Sequence, residues 1–142
     1  MQFLTTATLL SLLFLSTSAL PTALDERAAA VAQIDPSLVP IFSIKTGSGV
    51  GVNGVAIPKT CPPARAAFIS KLSTNVAAGN VLGTPITFNT NPKVNDTKTN
   101  EARATAMIIT LQSFTGVKGV GCPGASTPEL LSQQKTGVMS PS

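Results

Sequence analysis

The residues best suited to carry chemistry are Cys61 and Cys122, the only two cysteines in the chain. They form no Cys-x-x-Cys redox motif, and the sequence contains no histidine that could activate a thiolate. In an oxidising compartment such a lone pair is most simply one disulfide. It would close a loop of about 60 residues and stabilise the fold by roughly 4 kcal/mol through restriction of the unfolded chain. That is comparable to the net stability of a small domain.

Three other patterns need weighing. Gly49-x-Gly51-x-x-Gly54 has the letters of a dinucleotide fingerprint. The fingerprint requires a buried strand before it and a helix opening inside it. Here Asn53-Gly54 and Pro58 follow, so a turn is the expectation and no nucleotide is assigned. Asn95-Asp96-Thr97 is an N-glycosylation sequon in a polar stretch. Either Asn95 or Asp96 could also cap a helix, and the two roles are compatible. Beyond residue 27 the acids are Asp35, Asp96, Glu101 and Glu129. Each has a structural reading at a turn or helix start, so no paired carboxylates of the glycosidase kind are expected.

Composition narrows the field further. The 142 residues include no His, Trp or Tyr. The absence of His removes the Ser-His-Asp and Cys-His constellations and all histidine metal sites. No metal and no cofactor is expected. The net charge is +4, with basic residues scattered along the chain and no aromatic residues between them. Nucleic-acid binding is not indicated. Residues 1–19 read as a secretory signal peptide, with an apolar core over Leu9–Leu15 and small residues at Thr17, Ser18 and Ala19. That core is too short for stable membrane insertion. Residues 20–27, ending in Asp25-Glu26-Arg27, read as a short pro-segment or a tail. The expectation is therefore a secreted, extracellular chain, monomeric, with residues 28–135 as a single globular domain and 136–142 as a flexible tail.

The elements expected to position the cysteines make an α+β domain with two main helices, a short terminal helix and a few short strands. Phe68, Leu72 and Val76 recur at four-residue steps, predicting a helix from about Pro63 to Ala78 that Gly79 ends. Ala104, Met107, Ile108, Leu111 and Phe114 predict a second helix from about Asp96 to Phe114. A second stripe, Ala102, Ala106 and Ile109, implies burial on two faces, which makes this helix the centre of the fold. Ser126-Thr127-Pro128-Glu129 reads as a capping box opening a helix to about Gln134. Strands are expected near 40–45, 50–57 and 85–89. Arg65 falls on the apolar face of the first helix, and a salt bridge to Asp35 or Asp96 is expected. The Gly47–Gly54 loop has no evident core duty, so Gly49, Gly51 and Asn53 are candidate binding residues.

In combination, several stretches resemble a group of small secreted proteins of filamentous ascomycete fungi, of the hypothetical or candidate-effector type. They are Ile34-Asp35-Pro36-Ser37-Leu38-Val39-Pro40, Gly51-Val52-Asn53-Gly54, Cys61-Pro62-Pro63, Asn75-Val76-Ala77-Ala78-Gly79 and Gly119-Val120-Gly121-Cys122-Pro123. Many members of that group carry two further cysteines flanking the Val-Asn-Gly stretch, which this chain lacks. The resemblance implies secretion by a fungus, a role at a host interface and no catalytic residues. The expected function is non-catalytic contact with a host protein, with delivery into host tissue or cells as one route. The other readings are a secreted antimicrobial protein and a cell-wall or surface-associated structural protein.

Overall fold

The computed structural model describes residues 31–142. The signal peptide expected over 1–19 and the segment 20–27 lie outside the described residues. In chain order the elements are a 3-10 turn at Pro36–Leu38, a second at Val52–Gly54, and helix α1 at Arg65–Ala78. Strands β1, Asn80–Val81, and β2, Thr84–Pro85, follow. Helix α2 spans Thr97–Gln112, a 3-10 turn spans Gly124–Ser126, and helix α3 spans Pro128–Thr136. Among the described residues the domain is thus α+β: three helices, one two-stranded antiparallel sheet and the Cys61–Cys122 disulfide.

Helix α1 starts at Arg65 rather than Pro63, because Ala64 is still extended (ψ 134°) and has no side chain that can cap. It ends as expected on left-handed Gly79, whose N–H reaches the Asn75 and Val76 carbonyls. Phe68, Ile69 and Leu72 are buried, and Val76 is partly so. Ser73 is buried as well. Its hydroxyl donates to Ile69 O at 2.7 Å and accepts from Ile34 N at 3.0 Å, tying the incoming chain to the helix.

Helix α2 is capped by Asp96, which accepts from Thr99 N at 2.9 Å and from the Thr99 hydroxyl at 2.7 Å. Ala104, Met107, Ile108 and Leu111 are buried on one side and Ala106 on the other. The helix stops at Gln112, short of Phe114, because the returning chain takes its last carbonyls. Cys122 N donates to Leu111 O at 2.9 Å. Gly121 lies so close to that carbonyl that a Cβ would overlap it.

The strands are fewer than expected. No strand forms over 40–45, because its backbone groups go elsewhere. Ile41 N donates to Pro141 O at 3.2 Å and Ser43 N to Glu129 Oε1 at 3.0 Å. The 50–57 segment contributes an isolated antiparallel bridge between Val50 and Ala56. The 85–89 strand stops at Pro85, after which the chain turns its carbonyls toward Arg103.

The core joins Leu38, Val39 and Ile57 to Phe68 and Leu72 of α1, Met107 and Leu111 of α2, and Leu130 of α3. Phe42 meets Phe68 edge to face, with ring centroids 5.5 Å apart. The 136–142 segment, expected as a flexible tail, is laid back on the domain. Gly137 is buried, Met139 packs against the core, and Pro141 O accepts from Ile41.

Candidate functional site

The loop that carries Gly49, Gly51 and Asn53 is a folded-back turn held by its own backbone. Gly51 N donates to Val55 O at 2.7 Å and Ile57 N to Gly49 O at 3.0 Å. Asn53 is left-handed (φ 56°), which asparagine tolerates better than most residues, and Gly49 and Gly54 also have positive φ. The expectation that the loop has no core duty is wrong for Gly51. Its Cα faces the Ala125 carbonyl and Ile57, with no room for a Cβ. The outward side chains are Asn53, Val50 (52% exposed) and Val55 (47%), with Lys59 alongside Gly49. Two exposed valines on a turn anchored at Gly51 can offer apolar contact, and Asn53 can offer hydrogen bonds.

Cys61 and Cys122 are bonded, with Cα atoms 5.4 Å apart, and both are buried. This pair is structural: it joins the residue before the Pro62-Pro63 lead-in of α1 to the residue that caps the end of α2. Asn95 belongs to a different surface. It is exposed, immediately before the Asp96 cap.

Beside Asn95 lies a buried polar cluster centred on Arg103. Arg103 is fully buried (0% exposed), yet it faces no carboxylate. Its Nε donates to Asn89 O at 2.8 Å, Nη2 to Asn91 O at 2.7 Å and Nη1 to Val94 O at 2.7 Å. Nη1 also donates to Asn100 Oδ1 at 3.1 Å. One guanidinium therefore fixes the whole 89–95 loop. Burial pulls its pKa below the ordinary value, and the Asp96 charge opposes that shift. The signal was available: Asn100 and Arg103 sit on the same helical face as Ala104, Met107, Ile108 and Leu111. Polar residues on an apolar stripe mark a buried network.

Arg65, Asp35 and Glu129 also serve the fold. Arg65 does not pair with Asp35 or Asp96. Its Nη2 donates to Pro36 O at 2.7 Å and Val39 O at 2.6 Å, closing the 3-10 turn. Asp35 caps that turn through Ser37 N at 2.9 Å. The capping box at 126–129 is not formed. Thr127 is the N-cap, Ser126 Oγ donates to Pro123 O, and Glu129 reaches across to Ser43 N instead. Leu130 is buried, but Leu131 lies at the surface over Gly124.

Among the described residues no three His, Cys, Asp or Glu side chains come together, and no helix is long and apolar enough to cross a membrane. Compared with known protein families, curated proteins and solved structures, the chain matches none.

Proposed function

We propose that this chain is a secreted fungal effector that acts on a host through protein–protein contact, without catalysis. The observation that carries the reading is the division of labour in the fold. Arg65, Arg103, Asp35, Asp96 and Glu129 are each engaged in holding backbone, whereas the side chains of Val50, Asn53 and Val55 are exposed on an anchored turn and, among the described residues, take part in neither the core nor a side-chain hydrogen bond. Contact surfaces on a rigid support are a common way for small crosslinked domains to bind. The resemblance to effector-type secreted proteins supports the same reading.

Deleting the gene should weaken colonisation of a host while growth in culture stays normal. A strain producing the Val50→Ser, Val55→Ser double variant should share that loss, because these changes alter the surface and leave the Gly51 packing intact. A deletion strain that infects normally but shows wall defects, or loses activity against microbes, would overturn the effector reading.

A further inference from the structure

We infer that Asn95 carries an N-linked glycan, and that the fold holds its carboxamide so that only the nitrogen faces out. Three side chains, Arg103, Asn100 and Asn95, fix this orientation. Arg103 can only donate hydrogen bonds. Its Nη1 lies 3.1 Å from one end of the Asn100 carboxamide, so that end is the oxygen. The other end of Asn100 is therefore the NH₂ group. It lies 2.9 Å from the Gly137 carbonyl, which can only accept, and 2.7 Å from the Asn95 carboxamide. Asn95 must then present its own oxygen inward. Its Nδ2, the atom a glycan joins, makes no hydrogen bond among the described residues, and Asn95 is exposed.

Surroundings and sequence agree with this geometry. Asn95, Asp96, Thr97 and Lys98 are all exposed at the start of α2, which leaves space for a bulky polar group. Thr97 completes the Asn-x-Thr sequon. The cap on the helix is Asp96, so modification of Asn95 removes no capping group. The product keeps the amide oxygen, and the bond from Asn100 survives it. In the transfer, Asn95 Nδ2 attacks the anomeric carbon of an oligosaccharide carried on a lipid diphosphate. The new C–N bond forms as the anomeric C–O bond breaks, its electron pair leaves with the diphosphate, and Nδ2 loses one proton.

The inference rests on entry of the chain into a secretory compartment, so the test separates the two. The full chain is produced in a fungal host in two forms, one with its own N-terminus and one with an established secretion leader placed before Met1. Protein from the medium is compared before and after a glycan amidase, which releases N-glycans and leaves Asp at the attachment site. The expected result is a mass increment removed by the enzyme, with Asp appearing at position 95. It should vanish in Thr97→Ala and Asn95→Asp, both of which leave an acceptor for Asn100, and persist in Thr97→Ser. Secreted chain with no increment, or an increment that survives Thr97→Ala, overturns the glycan. An increment seen only with the added leader leaves the Asn95 site standing and removes the native secretion signal.

Discussion

Gly51 lies directly beneath the carbonyl of Ala125, and no side chain fits between them. The turn bearing Val50, Asn53 and Val55 is thereby fastened to the 3-10 turn that precedes α3. Gly51→Ala must push backbone against backbone, at a cost of about 1–3 kcal/mol. Gly54, with φ +73° and open space around it, should lose only about 1 kcal/mol as Ala, through conformation alone. Urea unfolding of both variants checks the order; equal losses would mean the Ala125 contact is not tight.

Arg103 offers a second measurement. Replacing it with Met keeps much of the volume but leaves the Asn89, Asn91 and Val94 carbonyls without their donor. A loss of roughly 1–3 kcal/mol is expected for each carbonyl that stays buried without a donor. Arg103→Lys should rescue only a minor part, because one ammonium cannot present the planar fork that spans three carbonyls. Near-complete rescue by Lys would show that charge, not fork geometry, fixes the loop.

Leu72 and Leu111 are fully buried on α1 and α2. Each change to Ala should cost ~2–5 kcal/mol, and Val76→Ala, at the core margin, distinctly less. Thermal unfolding of the three variants reads the ranking.

Acid should act through the caps. The Thr99 hydroxyl and amide hold the Asp96 carboxyl below the usual carboxylate range, and the Ser37 amide does the same for Asp35. Unfolding returns both groups to about 3.9, so the unfolded chain binds protons first as pH falls. Their stabilisation is complete above that value and fades as pH drops through the lower folded values. Asp96→Asn keeps a cap but removes the titration. The stability difference between the parent and this variant should shrink on acidification below about pH 4, and a difference unchanged by pH would rule the mechanism out.

Helices and crosslink were readable from sequence because they follow local rules. The four-residue recurrence of Phe68, Leu72 and Val76, the Gly79 stop and the lone cysteine pair each point to what the structure contains. The segments between them were harder to read because their backbone partners are distant in sequence. Ser43 is held by Glu129 and Ile41 by Pro141. No window of neighbouring residues contains those pairs, so β-prone runs such as Ile41–Ile44 read as strands. The same holds for Gly51, whose need for a missing Cβ is set by Ala125 on the far side of the disulfide.

The Cys61–Cys122 bond also divides the chain by what a single cut could detach. A peptidase cleaving at the exposed Leu82-Gly83 turn, or at the Val117–Val120 tip, would leave both fragments joined through sulfur. Cleavage before Cys61 or after Cys122 has no such tether, and the pieces at stake there, the turn bearing Val50 and Val55 and helix α3, are held by packing and hydrogen bonds alone. Resistance to digestion should therefore be uneven: nicks inside the crosslinked span are survivable, and the presented turn lies on the unprotected side.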